Sequence, residues 1–297
     1  MRRKSTLVQR VLTLALIVGI IAAAGVFTAP SAHAQAPTGG TPPAKDADWA
    51  VSITYQNTGN AATPVTVLFY PEGSASATPY NPRADKGDLA AGAADSFFIG
   101  RVDLPSNFRG NAVMSANVSM AATSVQFSQS TYTYPGGAEP YKMRLLSNAF
   151  SGNDVSTQYL IATVLKNQFN RTTVFSVQNT SADDITATIK FYDADKSGAL
   201  ASTKDFDIPA YSSKWIDMAV EALSGLSDAA YPKFNGSAII TAVKKGTTTD
   251  SEVVASAGEY YTDRPVATAY EGVPLASAAQ KIYLATALCE RFGLDTF

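Results

Sequence analysis

The sequence predicts an all-β protein with two consecutive β-sandwich modules, a cleaved signal peptide ahead of them and a spare strand behind them. Three observations predict it. The N-terminus has the pattern of a secretory signal, the chain aligns with itself at a constant offset, and apolar and polar residues alternate within each copy. A short C-terminal segment repeats the beginning of the second copy.

Residues 1–34 have the three parts of a signal peptide. Four basic residues lie within positions 2–10, an apolar core spans 11–26, and Ala32-His33-Ala34 is a small-residue cleavage site. The apolar core is shorter than the ~20 residues that a membrane-spanning helix needs. We therefore expect export and cleavage, a mature chain that begins at Gln35 without a membrane span, and a secreted or cell-surface location.

The composition of the mature chain excludes several function classes. With 19 basic and 25 acidic residues, its net charge of −6 does not favour nucleic acid or an anionic membrane. Its one cysteine, Cys289, cannot form an intrachain disulfide, and the only histidine, His33, leaves with the signal. Ser-His-Asp and Cys-His hydrolases and histidine zinc sites are thereby excluded. Because no nucleophile, base and orienting group form a set, we expect no enzymatic activity.

Two copies of one module follow the signal. The stretch "ITYQNTGNAATPVTVLFYPEG" at 53–73 aligns with "FSVQNTSADDITATIKFYDAD" at 175–195 at an offset of 122 residues. Farther along, "PSNFRGNAVMSA" at 105–116 matches "PKFNGSAIITA" at 232–242. We place module 1 at residues 48–150 and module 2 at 157–278, after a Pro/Gly linker at 35–47.

The strands of both modules are indicated by an apolar period of two. Ile185, Ala187, Ile189 and Phe191 share one strand face, and residues 65, 67 and 69 repeat this pattern in module 1. Gly, Pro, Asn and Asp clusters separate such runs, as in an all-β sandwich. The repeated "QNT" predicts a turn, since Asn tolerates left-handed backbone and bonds locally. The stretch "MAVEALSGL" at 218–226 predicts a helical loop found only in module 2.

The C-terminal residues 279–297 repeat the first strand of module 2. The stretch "YLIATVLKNQF" at 159–169 aligns with residues 282–292 at an offset of 123, with Ala-Thr, Leu and Phe in common. Ahead of the first "TYQNT" there is only the linker, without an apolar strand. Module 1 is therefore predicted to lack its first strand, while the C-terminal segment supplies one with no module after it.

Together these motifs resemble a known kind of module. A first strand of the "Y-[VL]-x" type, "VQNT", "FY", an "I-P-A" turn and "P-x-F-x-G-S-A" are similar to tandem immunoglobulin-like β-sandwich repeats of large secreted bacterial surface proteins, over almost all of residues 48–297. The resemblance implies an extracellular structural or adhesive role. It carries no catalytic residue across, and module 1 departs from the pattern by lacking the first strand.

The leading hypothesis is a structural protein that polymerises head to tail. The C-terminal strand of one subunit would complete the open module 1 of the next by donor-strand complementation. The residues that would fill the groove are Ile282, Leu284, Ala285, Ala287 and Leu288. Two alternatives remain: a fragment of a longer tandem-repeat stalk, and a tail that is disordered or completes module 1 of its own chain. The expected partners are other copies or further cell-surface and extracellular matrix components.

Two small-ligand hypotheses are weaker. In "DADKSG", Asp193, Asp195 and Ser197 occupy the first ligand positions of a calcium loop, but Lys204 stands where a bidentate Glu is needed. A solvated turn is the competing interpretation, and we expect no other cofactor. A carbohydrate-binding module is the alternative function, because exposed aromatic rings stack on sugars. The candidate aromatic residues are Trp49, Trp215, Tyr132, Tyr134, Tyr260, Tyr261 and Tyr270.

Overall fold

The computed structural model describes residues 44–133, 140–223 and 225–282, and its regular elements are strands joined by turns and single-turn 3-10 helices. The strands are β1 (Trp49–Asn57), β2 (Val65–Pro71), β3 (Thr78–Tyr80), β4 (Ala94–Phe98), β5 (Gly110–Ala116), β6 (Met120–Ser128), β7 (Tyr132–Thr133), β8 (Pro140–Tyr141), β9 (Arg144–Asn148), β10 (Gln158–Lys166), β11 (Arg171–Asn179), β12 (Ile185–Asp193), β13 (Ala199–Ile208), β14 (Ser213–Asp217), β15 (Phe234–Lys244), β16 (Val253–Tyr261), β17 (Ala267–Glu271) and β18 (Val273–Pro274). The all-β prediction is confirmed.

Four antiparallel sheets form two pairs. The N-terminal sheet pair consists of a four-stranded sheet in the order β4-β1-β6-β9 and a three-stranded sheet in the order β3-β2-β5. The C-terminal sheet pair consists of a four-stranded sheet, β14-β11-β16-β17, and a five-stranded sheet, β13-β12-β15-β10-β18. Strands β7 and β8 form a separate ribbon.

The two sheet pairs share their strand registers. In the N-terminal pair, β2 faces β5 from Val65↔Ala116 to Phe69↔Ala112. In the C-terminal pair, β12 faces β15 from Ala187↔Ala242 to Phe191↔Ala238, the positions that the sequence alignment makes equivalent. The four-stranded sheets correspond in the same way, with Asn57 opposite Met120 and Asn179 opposite Val253.

Each pair encloses its own apolar core because alternate strand residues point between the sheets. In the C-terminal core, Tyr159, Phe175, Ile189, Phe191 and Ile240 are completely buried. The N-terminal core is smaller and is built around Tyr55, Val65, Val67, Phe69 and Leu89. A third cluster joins the two pairs and contains Ala44, Met143, Leu145 and Tyr260.

Two local predictions need correction. The described residues of 218–226 form turns and irregular backbone rather than a helix. Met218, Leu223 and Leu226 are buried at spacings of five and three residues, so they anchor an irregular loop, and Gly225 has a φ of +83°. The "QNT" asparagines end strands β1 and β11 and do not have positive φ, but they make the predicted local bond, since Asn57 Oδ1 accepts from the backbone N–H of Gly59 and Asn179 Oδ1 from that of Ser181, each at 2.9 Å. Their role comes from buried side-chain amides.

The buried amide of Asn57 links two loops of the N-terminal pair. Its Nδ2 donates to the carbonyl oxygens of Ala61 at 2.7 Å and Leu89 at 3.0 Å. Asn179 does the same in the C-terminal pair, donating to Asp183 at 2.8 Å and Pro209 at 3.0 Å. Because a buried carbonyl without a donor is costly, the repeated Asn is explained by stability.

Several sequence predictions lie outside the described residues, among them the signal peptide at 1–34 and most of the C-terminal segment. Within residues 44–133, 140–223 and 225–282, no helix has the length and apolar character needed to cross a membrane.

Candidate functional site

Strand β5 has one edge that no described residue pairs with. Its equivalent, β15, lies between β12 and β10, whereas β5 pairs with β2 alone among the strands of the described ranges. An unpaired edge presents a row of backbone N–H and C=O groups that can bind another strand. The N-terminal sheet pair therefore differs from the C-terminal one by the position that β10 fills.

The unfilled position leaves the N-terminal core partly open. Gly236, Ala238, Ile240 and Ala242 of β15 are all buried. Their equivalents in β5, which are Gly110, Ala112, Met114 and Ala116, are only half-buried. The same contrast separates β16 from β6, where Met120 and Ala122 are half-buried and their equivalents Val253 and Ala255 are fully buried.

A groove of about 1600 Å³, the open groove, includes this position and extends to the junction with the C-terminal sheet pair. Its floor is apolar, and its far rim is the segment that follows β9, which includes Ala149 and Phe150. In the C-terminal pair the equivalent of that rim is β18, which pairs with β10. The groove floor is lined by Ile53, Tyr55, Val67, Phe69, Val102, Leu104, Phe108, Ala112, Met114, Met120 and Ala122.

Strand β10 shows how such a position is filled. Tyr159, Ile161 and Val164 point into the C-terminal core and are completely buried. A bulge between Ile161 and Val164 turns the carbonyl of Thr163 toward the hydroxyl of Tyr270, which donates to it. The strand contributes both core side chains and ladder hydrogen bonds, and the open groove lacks both.

The last residue of β10 is a buried cation. Lys166 is 4% exposed, and its Nζ donates to the carbonyl of Leu226 at 2.7 Å and pairs with Asp228 at 2.8 Å. Both partners belong to the long loop at 218–233, which the N-terminal pair replaces with the shorter segment 99–107. At the aligned position the C-terminal segment has Cys289, which needs no such partners.

Tyr55, which lines the open groove, contacts a charged cluster that lies outside the groove lining. The hydroxyl of Tyr55 lies 3.5 Å from Asp95, which also binds Arg83 at 2.6 Å and Lys86 at 2.8 Å. Burial raises the pKa of Asp95, but hydrogen bonds from Lys86 and the Ser96 amide, with the two cationic charges, outweigh it and leave the pKa below its ordinary value. Burial, with the nearby Asp95, raises the pKa of Tyr55 to about 12, so its hydroxyl stays a neutral donor.

The other end of the open groove abuts the C-terminal sheet pair. Glu72 accepts from the backbone N–H of Trp215 at 3.0 Å and pairs with both Arg109 and Lys214. Asn111 donates to the carbonyl of Tyr211 at 2.8 Å. Sequence reasoning missed this junction because the residues that meet across it are 100 or more positions apart, and neither Glu72 nor Asn111 has an equivalent in the other copy.

The predicted donor residues are described only at their beginning. Ile282 is 75% exposed and belongs to no strand. Leu284, Ala285, Ala287 and Leu288 lie outside the described residues. The structure therefore describes the groove, while the identity of its occupant stays a prediction.

The predicted calcium residues form a capped turn. Asp193 is buried, accepts from the Asp195 backbone N–H at 2.9 Å and lies 3.4 Å from the Lys196 amine. Asp195 accepts from Asn235 at 3.1 Å, and Ser197 has a φ of 56°. No three His, Cys, Asp or Glu side chains in the described part of the chain are grouped to hold a metal. This geometry favours the turn, and the calcium site stays a prediction.

The candidate sugar-binding aromatics do not form one flat face. Tyr260 is buried and meets Trp49 edge-on at 5.9 Å, and burial raises its pKa to about 12. Tyr261 lies beneath the guanidinium of Arg171, and Tyr270 is held by β10. Tyr132 is half-buried in the third cluster, and Tyr134 lies outside the described residues. Of the candidate aromatics that the structure describes, only Trp49, Trp215 and Tyr260 line the open groove.

Comparisons with known proteins identify no family. No protein-family model matches the chain, and no curated protein matches it. Two solved structures align with it, that of infectious bursal disease virus Gt strain and that of the infectious bursal disease virus VP2 subviral particle, each at 12% identity. The alignments cover 77% and 73% of this chain but only 57% and 56% of those chains, with TM-scores of 0.17 and 0.16. These similarities carry no argument about fold or function.

Proposed function

We propose that the protein is a non-catalytic, extracellular structural protein that assembles head to tail by strand exchange. The open groove of one copy accepts residues 281–289 of another copy as the missing strand along β5. The observation that supports this is the open groove itself, with its unpaired β5 edge and half-buried apolar floor. Immunoglobulin-like modules and a surface or adhesive role belong to the same proposal, and the repeat motifs support them.

The register of β10 supports a specific pairing for the donor strand. Tyr159, Ile161 and Val164 lie opposite Ile240, Ala238 and Gly236. Carried over at the repeat offsets, Ile282 lies opposite Met114, Leu284 opposite Ala112, and Ala287 opposite Gly110. The two residues at the bulge of β10 are Ala-Thr, and the C-terminal segment has Ala-Thr at the same place.

The apolar side chains of the donor supply most of the affinity. At about 1.5–3 kcal/mol per fully buried large side chain, Ile282, Leu284 and Leu288 contribute roughly 5–9 kcal/mol before the cost of ordering the strand. Backbone hydrogen bonds between the donor strand and the edge of β5 fix the direction in which the donor strand runs.

The connection ahead of β10 supports exchange between copies. β10 follows β9 of the N-terminal pair after residues 149–157 and completes the pair that comes next in the chain. Residues 272–280 form a connection of the same length between β17 and the donor segment. By the same geometry, we propose, the donor completes the N-terminal pair of another copy. A contact of this head-to-tail kind does not close, so it produces filaments.

The test compares the chain from Gln35 to Phe297 with one that ends at Ala278, by light scattering across a concentration series. We expect polymers whose mass rises with concentration only when the donor segment is present. A synthetic peptide of residues 279–297 should bind the shortened chain and cap the polymers of the longer one.

Each rival explanation has its own outcome. If both chains are monomeric and the peptide does not bind, the proposed function is wrong. If the longer chain stays monomeric but loses thermal stability when shortened, the donor acts within its own chain. Polymers that form equally well without the donor segment would also contradict strand exchange.

A glycan is the alternative occupant of the open groove. Trp49, Trp215 and Tyr260 line its junction end, and the indole Nε1–H of Trp215 is buried without a hydrogen-bond partner in the structure. A glycan array probed with the shortened chain tests this function. Binding that is lost in Trp215→Ala and kept in Trp49→Phe would favour it over strand exchange.

A further inference from the structure

The outward face of sheet β4-β1-β6-β9 has a cluster of large apolar side chains. Phe97 points into the N-terminal core, so its neighbour Phe98 points away from it. The ring of Phe98 stacks on that of Phe127 at 5.9 Å with an interplanar angle of 29°. Leu146, the register partner of Val125, is 64% exposed. We name Phe98, Val125, Phe127 and Leu146 the outer patch.

The registers identify the equivalent of each outer-patch residue in the C-terminal sheet pair. Phe98 pairs with Ser52 as Asp217 pairs with Val174. In the same way, Phe127 of β6 pairs with Ala50 of β1, and Tyr260 of β16 pairs with Thr172 of β11. The pair Val125–Leu146 corresponds to Gly258–Ala269.

These equivalents lie at the junction between the two sheet pairs. Tyr260 is 7% exposed and packs edge-on against Trp49 of the N-terminal pair. Asp217 binds Lys45 at 2.9 Å. Ala269 packs on the cluster that contains Met143 and Leu145. The outward face of this four-stranded sheet is therefore a buried contact surface in one pair, while in the other pair it is partly exposed.

The outer patch is more apolar than the junction surface to which it corresponds. Phe98 replaces a carboxylate, Val125 replaces a glycine, and Leu146 replaces an alanine. Contiguous apolar surface of this kind marks an interaction site. Single scattered apolar residues would carry no such meaning, but these four lie on β4, β6 and β9 of one sheet, where Phe98 stacks on Phe127 across β1 and Leu146 pairs with Val125.

We propose that the outer patch is the second contact between neighbouring copies in the filament, and that it packs against the C-terminal sheet pair of the copy that donates the strand. The junction within one chain is then repeated between chains. This inference rests on the proposed function, because the donor strand sets which copy comes next. The occupant is a second copy of this chain, since among the described residues the equivalent sheet face of the C-terminal pair is covered by the sheet pair that precedes it.

Substitutions on the outer patch separate this contact from the open groove. In the chain from Gln35, Leu146→Lys should raise the concentration at which polymers form by about tenfold or more, because an apolar anchor is replaced by a charge. Phe127→Ser should act in the same direction. Val220→Lys is the matched control, since Val220 is 73% exposed and lies on the loop after β14. It should leave polymerisation unchanged.

Binding of the 279–297 peptide to the shortened chain measures the affinity of the open groove alone, without any contact between copies. Leu146→Lys should change that affinity by less than about twofold, because Leu146, unlike Phe98, is not among the residues that line the groove. Polymerisation of Leu146→Lys at the wild-type concentration would overturn the second contact and leave strand exchange intact. Loss of peptide binding in the unaltered shortened chain would instead contradict the proposed function.

Discussion

Gly236 lies so close to the backbone of Tyr192 that a Cβ atom added to it would overlap the Tyr192 carbonyl oxygen. Gly110 has the same relationship to Tyr70 in the N-terminal sheet pair. The glycine of the repeated "F-x-G" motif is therefore required because two strands approach each other closely there. It is not required by a positive φ, which neither glycine has.

Gly236→Ala should destabilise the chain by about 1–3 kcal/mol, because the strand must shift to admit the methyl group. Gly152→Ala is the control, since a Cβ there would meet no atom within 4 Å. Urea unfolding followed by tryptophan fluorescence measures the difference. Equal midpoints for the two variants would contradict the explanation.

Asn179→Ala should cost about 1–3 kcal/mol of unfolding free energy, because it removes the donor to the buried carbonyl of Ile208 and to the part-buried carbonyls of Asp183 and Pro209. Asn57→Ala should have a comparable effect on the N-terminal pair. The control is Gln56→Ala, an exposed neighbour. A larger loss for Gln56→Ala than for Asn57→Ala in thermal unfolding would refute this role.

Met114→Arg should weaken binding of the 279–297 peptide by about tenfold or more, since the new charge lies on the apolar floor of the open groove. It should cost little stability because Met114 is only half-buried. Ser115→Arg, on the opposite strand face and exposed, is the matched control. Peptide titration by calorimetry would count against the groove as the binding site if both variants bound alike.

The Asp95 cluster predicts a loss of stability in acid. The folded-state pKa of Asp95 is lowered from 3.8, chiefly because hydrogen bonds from Lys86 and the Ser96 amide outweigh its burial. A lowered folded pKa gives stability that is present above the unfolded value and is lost as the pH falls through the folded value.

Asp95→Asn should therefore flatten the dependence of the unfolding free energy on pH below about 4. Urea unfolding at a series of pH values measures this slope, with the exposed Asp103→Asn as the comparison. The electrostatic account would be wrong if the slope of Asp95→Asn equalled that of the unaltered chain.

Period-two patterning was enough to predict β2 and β12. Val65, Val67 and Phe69 alternate with polar or less buried neighbours and form β2, and the offset of 122 residues placed β12 at the same register. The unpaired edge that β5 has among the described residues could be anticipated because residues 35–47, ahead of β1, contain no apolar run.

Features that depend on distant partners could not be predicted. The contact of Glu72 with Trp215 spans 143 residues, and Lys166 finds its partners in a loop that only one copy has. The outer patch was missed because Phe98 and Leu146 each follow a core residue, so that both strand faces are apolar and the period of two disappears locally.

Strand β10 is joined covalently to one sheet pair and folds into the next. A pulling force along the chain passes from β9 through residues 149–157 directly into a strand held by the β15 ladder and by Tyr159, Ile161 and Val164 in a core. In a filament joined by the same kind of strand, every connection between copies bears tension as this one does. The covalent connection within a chain and the non-covalent connection between chains then carry force through the same kind of strand. Extending the filament requires the core of a sheet pair to open.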